Sequence, residues 1–366
     1  MEGMITNSCE NMITNSCEND VDISFCFPVY NVERYLKRCV DSITKQIERL
    51  RVEFVFVDDC SKDDSFATLT EIQKHVPNTI VHRNEENKGV SYTRNRLIEL
   101  ARGKYIWFID PDDLLYPDCV NYFWRDAQST EADLILGNFV KFQESDIAPV
   151  VPKNQKFLFE TCQPIGSSIL PRDEVNNPMS AVWAGLIKKE VLMEYDLRFQ
   201  EGMIAQEDTL FYYELLLRVE KCRKTQSACY LYMQRSNSAM HSRSEKRAVE
   251  YYKAMRIMYN VYNRYVIAPP INCKTFNTRI LKSKLHHTRE NIAYCLLNIT
   301  DTQYVTNELR LLRQEKIYPY PFRYEILRAK MPWPIKIGIF LLPIRPMFWL
   351  LHFICKPARK RQYGNC

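Results

Sequence analysis

Glycine is scarce in this chain: only 9 of its 366 residues are glycine, and hydrophobic residues make up 46%. This composition excludes a low-complexity protein and is sufficient for a sizeable packed core. The length fits one large domain with an appendage, or two domains. The sequence therefore predicts a globular protein.

Paired cysteines are also lacking. The 13 cysteines are odd in number and scattered, with neither a Cys-x-x-Cys pair nor a zinc-binding spacing among them. The first residues lack a basic segment followed by an apolar run, so we expect no secretory signal. These features predict free thiols in a reducing cytoplasm.

Acidic residues are absent from positions 326–366, which carry eight basic ones. Because the formal net charge of the whole chain is +6, residues 1–325 are nearly neutral, at about −2. A nucleic-acid binder more often carries its basic face on the fold itself, so we expect no nucleic-acid partner. At the other end, positions 4–11 and 12–19 repeat the sequence MITNSCEN, which predicts a disordered leader over residues 1–20.

From residue 21 onward, short apolar runs alternate with segments of helical spacing. This alternation indicates an α/β fold with a mostly parallel sheet, covered by helices on both faces. The predicted strands are Asp22–Phe27, Glu53–Val57, Thr79–His82, Lys104–Ile109 and Ala132–Leu136. The predicted helices are Val32–Gln46, Asp64–His75, Val90–Ala101, Pro117–Gln128, Ala181–Glu194, Asp208–Glu220, 245–265 and 276–317.

Acidic side chains follow two of these strands, where ligands of parallel sheets bind. Asp58 and Asp59 follow the second strand, and the segment Asp110–Asp113 (DPDD) follows the fourth. Carboxylates are hard ligands for the divalent cation that stabilises a departing diphosphate. A simple Asp-Pro turn is the alternative. The position after a buried strand favours Asp112 as a metal ligand, with Asp110 on the ribose or a metal-bound water.

Two further segments are expected at the same edge. Phe27–Asn31 is suited to cradle a nucleobase through its backbone and Tyr30, or is a turn with Asn31 as helix N-cap. Gly89 opens the third helix, whose N-terminus favours anions, and Arg94 lies about one turn further on. Asp63 or Asp64 is expected to cap the second helix.

Glu207 and Asp208 precede an apolar helix. Acidic residues at a helix start stabilise it, which is one interpretation. The second interpretation is a general base that deprotonates an acceptor hydroxyl.

Five segments occur in one order between residues 22 and 240: PVYN, VDDCSKDD, NKGVSYTRN, GKYIWFIDPDD and QED. Together they resemble the family 2 glycosyltransferases, inverting enzymes of GT-A fold. The resemblance implies a nucleotide-sugar donor, Mn²⁺ or Mg²⁺ as cofactor, and Asp208 as general base beside Glu207. It implies a metal site at Asp112 and Asp110. It implies donor contacts by Pro28, Val29, Tyr30, one of Asp58 or Asp59, Gly89, Arg94, Asp110 and Arg235.

Tyr232, Arg235, Asn237 and Ser238 resemble the family segment that closes over the donor phosphates, although the frequent Pro-Gly pair is missing. The QxxRW motif of processive members is also missing. We therefore expect transfer of a single hexosyl or N-acetylhexosaminyl unit.

The chain is predicted to comprise the leader, a GT-A domain over residues 21–240, a helical region over 241–330 and a basic amphipathic tail over 331–366. The tail is too interrupted by charge and proline for a spanning helix, so we expect it to lie on anionic lipid, or to pack on the body. The first arrangement implies a peripheral protein on the inner face of the plasma membrane. It also implies a polyprenyl-diphosphate-linked saccharide acceptor in surface-polysaccharide assembly.

Three alternatives remain. A sugar nucleotidyltransferase requires a glycine-rich loop after the first strand, where PVYNVERYL stands. A receiver-type domain is much shorter than this chain and requires a lysine that ends a late strand. A binding-only, catalytically inactive member of the same fold is the third alternative, although every expected carboxylate is present.

Overall fold

The computed structural model describes residues 21–47, 50–144, 157–162, 181–234, 245–268 and 301–315, with single positions between 285 and 299 and at 317. The predicted leader, Arg235 and the predicted tail lie outside the described residues. Within them, no helix is long and apolar enough to cross a bilayer. The cysteines whose side chains are described carry free thiols.

Nine strands form one mixed sheet in the described part of the chain. They are β1 (Ile23–Val29), β2 (Val52–Asp58), β3 (Thr79–Arg83), β4 (Tyr105–Phe108), β5 (Leu114–Leu115), β6 (Leu134–Gln143), β7 (Phe159–Cys162), β8 (Gly185–Lys188) and β9 (Cys222–Gln234). Their order is β3-β2-β1-β4-β8-β6-β9-β5, and β7 pairs with β9.

Eight α-helices accompany these strands in the described ranges. They are α1 (Glu33–Thr44), α2 (Ser65–His75), α3 (Val90–Leu100), α4 (Cys119–Thr130), α5 (Lys189–Glu194), α6 (Glu207–Leu216), α7 (Glu245–Ile267) and α8 (Thr302–Gln314). The first four follow strands β1, β2, β3 and β5, as the alternating pattern predicted. The predicted α/β fold with a mostly parallel sheet and a helical C-terminal region is thus confirmed.

The first four strands form the parallel half of the sheet: β2 and β4 flank β1, and β3 pairs with β2. The apolar runs of β1, β2 and β4 are buried, as is typical of parallel strands covered by helices, whereas β3 at the edge of the sheet is partly exposed. Phenylalanine rings stack between β1 and β2, with 4.4 Å between the centroids of Phe27 and Phe56. All carboxyl ends of this half therefore lie at one edge.

The prediction of one helix over Ala181–Glu194 is wrong. This segment contains a single 3-10 turn, Val182–Ala184, then β8, and only its last six residues are α-helical, as α5. Strand β8 is antiparallel to both β4 and β6 and is inserted between them. A Cβ atom on Gly185 would lie 1.8 Å from the carbonyl oxygen of Ile135, so only glycine fits there. Burial between two strands overrides the local helical pattern.

Helix α6 is apolar on nearly every face because two hydrophobic clusters share it. Phe211 and Leu215 join the core beneath the sheet. Leu210, Tyr213 and, directly after the helix, Leu217 join a second core with α7 and α8. The helix is therefore fixed from both sides, and its N-terminal turn lies beside the carboxyl edge of the sheet, where Glu207 contacts Arg94.

Candidate functional site

Asp58 and Asp59, at the end of β2, are both almost fully buried. Asp58 accepts a hydrogen bond from the Ser61 backbone N–H at 3.2 Å and pairs with Arg83 at 3.2 Å. These contacts fix the loop that follows β2.

Asp59 organises the loop before α3. Its carboxylate accepts hydrogen bonds from the Asn84 side chain at 2.8 Å, from Lys88 N–H at 2.9 Å and from Gly89 N–H at 2.8 Å. Gly89 has φ +86°, a conformation that glycine adopts without strain. Both aspartates, which are expected to contact the donor, thus already accept hydrogen bonds that shape the neighbouring loops.

The segment after β1 lies beside Asp59. Val29 is buried and its carbonyl oxygen accepts a hydrogen bond from Asp59 N–H at 2.8 Å, whereas Pro28 is partly exposed and Tyr30 is 41% exposed. Tyr30 therefore exposes an aromatic side chain at this edge, beside the loop that Asp59 organises. The structure thus brings these three residues to the expected edge.

Asn31 does not cap α1, contrary to one interpretation of its sequence position. Its backbone is left-handed (φ 53°), and its side chain accepts a hydrogen bond from Lys62 N–H at 2.8 Å. Asp63 accepts hydrogen bonds from the first N–H of two helices, Glu33 of α1 at 3.2 Å and Ser65 of α2 at 3.0 Å. The N-cap position of α2 is Asp64, whose side chain makes no capping hydrogen bond, so the side-chain contact with the start of α2 comes from Asp63.

The segment Asp110–Asp113 forms a turn closed by a 3.0 Å hydrogen bond from Asp113 N–H to the Asp110 carbonyl. Asp113 is fully buried and accepts a hydrogen bond from Met233 N–H at 2.7 Å, which ties the turn to β9. Burial first, and then the neighbouring Asp112 and Asp110 charges, raise the pKa of Asp113 well above its usual value. Asp110 and Asp112 are partly exposed, as ligand-binding carboxylates must be.

Arg94 links this turn to α6. Its guanidinium donates to Glu207 at 2.9 Å and to Asp110 at 3.3 Å, although its side chain is only 7% exposed. Burial lowers the pKa of Arg94, but the charges of Asp110, Glu207 and Asp208 outweigh it and raise that pKa, so the side chain remains charged. A planar, forked guanidinium is suited to such a double contact.

Asp208 is the second residue of α6 and lies in the field of Arg94. Its carboxylate accepts a hydrogen bond from Thr209 N–H at 2.7 Å. Burial, followed by the charge of Glu207, raises the pKa of Asp208 to about 6, against the lowering effect of Arg94. A carboxylate with a pKa near the working pH has the properties of a general base. The preceding Gln206 has φ 64°, a strained conformation of the kind found at functional sites.

Two carboxylates of the turn fit a divalent cation whose remaining ligands are substrate oxygens. Magnesium is often held by one or two carboxylates plus substrate phosphates, and Asp110 and Asp112 provide such a pair. Among the described residues, no group of three His, Cys, Asp or Glu side chains forms a cage that would hold a metal unaided. A cation here would therefore depend on the donor's diphosphate.

Three residues of this site escaped the sequence reasoning. Tyr230, on β9, accepts a hydrogen bond from Asp110 N–H at 3.0 Å. Phe199 lies 5.3 Å beneath the Arg94 guanidinium, and Asn95 holds its backbone. Only Asn95 gave any signal, as the last residue of NKGVSYTRN. Phe199 and Tyr230 belong to none of the quoted motifs, and only folding brings them to the edge.

Of the segment predicted to close over the donor, only Tyr232 is described. It stacks on Trp183, with ring centroids 5.7 Å apart, and Trp183 in turn stacks on Tyr230 at 4.3 Å. Arg235, Asn237 and Ser238 lie outside the described residues.

Residues 24–193 match the family model described as "Glycosyl transferase family 2". Glycosyltransferase GlyG of Streptococcus pneumoniae is 28% identical over 232 residues, which is 60% of this chain and 73% of GlyG. Minor teichoic acid biosynthesis protein GgaB of Bacillus subtilis is 37% identical over 119 residues, which is 31% of this chain but 13% of GgaB. Both are relatives in sequence.

The fold is also similar to that of a solved structure, S. aureus TarS 1-349 in complex with UDP-GlcNAc. The TM-score is 0.62, the sequence identity is 16%, and the match covers 94% of this chain and 93% of that chain. This likeness shows the shared GT-A fold.

Proposed function

We infer, from the family 2 glycosyltransferase domain that this chain carries, that it moves one sugar from a nucleotide-sugar to a hydroxyl of an acceptor saccharide. The anomeric configuration is inverted in this transfer. One observation supports the proposal above the others: Arg94 bonds Glu207 and Asp110 at once. It thereby places Asp208 beside the turn that follows β4.

Asp208 is the general base of the proposed reaction. Its carboxylate takes the proton of the acceptor hydroxyl while that oxygen attacks the anomeric carbon from the face opposite the leaving group. The new carbon–oxygen bond forms as the bond to the diphosphate breaks, and the electron pair leaves with the diphosphate. The pKa of about 6 keeps Asp208 ionised at neutral pH and still basic enough to accept the proton.

Asp112 and Asp110 are the residues that would hold Mn²⁺ or Mg²⁺. When bound, such a cation supplies positive charge that stabilises the departing diphosphate. The guanidinium of Arg94 contacts both Asp110 and Glu207. It thereby holds Asp110, one of the two proposed metal ligands, at a fixed position relative to the acid pair of α6.

The nucleotide is proposed to lie along the edge formed by Pro28, Val29, Tyr30, Asp58 or Asp59, and Gly89, and Arg235 is proposed as a further donor contact on the grounds of the family resemblance. The solved relative in fold is a complex with UDP-GlcNAc, which supports a nucleotide diphosphate sugar as donor. A hexosyl or N-acetylhexosaminyl unit is the proposed cargo.

The acceptor is proposed to be a lipid-linked saccharide, and the product a cell-surface polysaccharide. The name of the relative GgaB, a teichoic acid biosynthesis protein, supports this class of product. Eight basic residues among positions 326–366, together with apolar stretches, support a tail that lies on the anionic inner face of the plasma membrane.

The test is a panel of nucleotide-sugars, screened by thermal shift with Mn²⁺ and then by transfer to a saccharide acceptor. A bound donor raises the melting temperature, because it binds only the folded state. Asp112→Ala is expected to lose this shift. Asp208→Asn is expected to keep the shift and lose turnover, whereas the matched substitution Asp41→Asn, on α1, changes neither. Wild-type turnover by Asp208→Asn would show that the base is assigned wrongly.

The same experiment separates the proposal from a binding-only member of the fold. Such a protein would show the donor-dependent thermal shift without transfer or hydrolysis of any donor in the panel. Asp208, with its pKa of about 6 beside Arg94, favours the active enzyme because a binding-only site gains nothing from a destabilised carboxylate.

A further inference from the structure

Asn95 and Phe199 are joined by a pair of reciprocal hydrogen bonds. The Asn95 side-chain amide donates to the Phe199 carbonyl at 2.9 Å, and its oxygen accepts from Phe199 N–H at 2.7 Å. Asn95 is on α3, next to Arg94, and Phe199 lies in the stretch before α6, 104 positions away. Both residues are buried. A planar amide that satisfies both backbone groups of one residue fixes it in place and orientation.

The Phe199 ring lies between two elements of the site. On one side the Arg94 guanidinium lies 5.3 Å from its centroid. On the other it stacks on Phe211 of α6, with centroids 3.9 Å apart and planes 4° from parallel. Phe108, the last residue of β4, packs edge-on against both rings. The ring is therefore the common support of Arg94 and α6.

We propose that Asn95 and Phe199 are positioning residues for the sugar-transfer reaction, because they fix the Arg94 guanidinium and the first turn of α6 in one rigid arrangement. The inference deepens the proposed function and rests on it. Asn95 contacts neither Glu207 nor Asp208 in its described contacts. Besides Phe199 it donates to Glu201 at 3.3 Å, and of these two partners Phe199 is the one that contacts both Arg94 and Phe211. Phe199 acts on Arg94 from below and on α6 through Phe211.

The physical reason is that Arg94 is a buried cation with two carboxylate partners at 2.9 and 3.3 Å. An aromatic face stabilises a desolvated guanidinium without competing for its hydrogen bonds. A guanidinium that moves by about 1 Å loses the alignment of the reacting groups, and displacements of that size cost up to roughly 100-fold in rate.

The charged groups around Asp208 are Glu207 on its own helix, Arg94 on α3 and Asp110 after β4. Of these, Arg94 is the cation. Displacing it removes the attraction that keeps the Asp208 carboxylate ionised. The acid side of the pH–rate profile therefore reports whether the guanidinium is in place, which loss of stability alone would not change.

The test uses two substitutions. Asn95→Ala removes the hydrogen bonds to Phe199, and Phe199→Leu removes the ring contacts with Arg94 and Phe211. Each is expected to lower kcat by about 10- to 100-fold and to move the acid limb of the profile upward by about half a unit or more. The matched control is Ser24→Ala. Ser24 is fully buried at the amino end of β1 and bonds Glu53 and Gly103 N–H, away from the site. It is expected to lower the melting temperature without changing kcat or the acid limb.

A second readout does not depend on activity. Hydrogen exchange of the α6 first-turn amides, including Thr209, is expected to accelerate in both variants and to stay unchanged in Ser24→Ala. If no sugar transfer is found for the wild type, this readout still decides the link, and only the proposed function fails. Wild-type exchange in both variants would overturn the inference. So would wild-type kcat and acid limb in variants whose melting temperature alone falls.

Discussion

Arg94 donates a hydrogen bond of 2.9 Å to Glu207, although 113 positions of sequence separate them. The pair closes the space between α3 and α6, and the second contact of Arg94, with Asp110, extends it to the turn after β4. One buried guanidinium thus holds the two groups of carboxylates to which the proposed reaction assigns metal binding and proton transfer.

Replacement of this guanidinium is the most direct probe of the arrangement. Arg94→Lys keeps the charge but cannot contact both carboxylates in the fork geometry, so kcat is expected to fall by about 10- to 100-fold. Steady-state kinetics with a saturating donor measure this. Arg96→Lys, at a partly exposed neighbouring residue that pairs with Glu99 on its own helix, is the control and should match the wild type. Equal rates for both variants would show that the bridge has no catalytic role.

The pH dependence of turnover follows from the Asp208 pKa of about 6. Below that pH the carboxyl is protonated and cannot accept a proton, so kcat is expected to fall as the pH decreases through about 6. A pH–rate profile from about pH 4.5 to about pH 8.5 checks this. The residual activity of Asp208→Asn should show no such limb; a limb that persists in that variant belongs to another group.

The same shift predicts a stability effect of opposite sign to that of most substitutions. The folded-state pKa of Asp208 lies above its unfolded value of 3.8, so ionisation costs stability fully above about pH 6 and not below about pH 4. Asp208→Asn removes this cost and can still accept from Thr209 N–H. Its free energy of unfolding at pH 8 is expected to exceed that of the wild type by about 1–3 kcal/mol. Urea denaturation at pH 8 and at pH 4 measures it. An equal gain at both pH values would contradict the pKa explanation.

Substitution of Gly185 by alanine is expected to cause a large loss of stability, although it adds only one methyl group. Gly185→Ala would place a Cβ atom 1.8 Å from the Ile135 carbonyl oxygen, and neither backbone can move without breaking the β6–β8 pairing. We expect a loss of at least about 3 kcal/mol in chemical denaturation. Gly202→Ala is the control: its Cβ would meet open space, so only the strain of φ +77° remains, about 1 kcal/mol. Similar losses for both would mean that close packing at Gly185 is unimportant.

The predicted tail gives the last test. Deletion of the residues after Lys330 is expected to abolish sedimentation with vesicles that contain anionic lipid, because it removes six of the eight basic residues of positions 326–366. Vesicles of neutral lipid alone are the control and should bind the full chain weakly. Replacement of Lys356, Arg359, Lys360 and Arg361 by glutamine separates charge from apolar insertion. Unchanged sedimentation after the deletion would exclude the tail as the membrane contact.

The sequence by itself determined the order of the first four strands, of the helices that follow the first three of them, and the edge at which the acidic residues gather. Apolar runs of strand length, alternating with helical spacing, are local signals, and a parallel sheet places all carboxyl ends together. The sequence alone therefore assigns Asp58, Asp59 and Asp110 to one edge.

Only the tertiary structure decided what these side chains contact. The segment Ala181–Glu194 has a helical pattern, yet its middle forms β8 because it pairs with β4 on one side and with β6 on the other. The links from Arg94 to Glu207 and from Asn95 to Phe199 each span more than 100 positions. Such contacts leave no periodic trace in a sequence, because their partners are chosen by the packing of whole elements rather than by neighbouring residues.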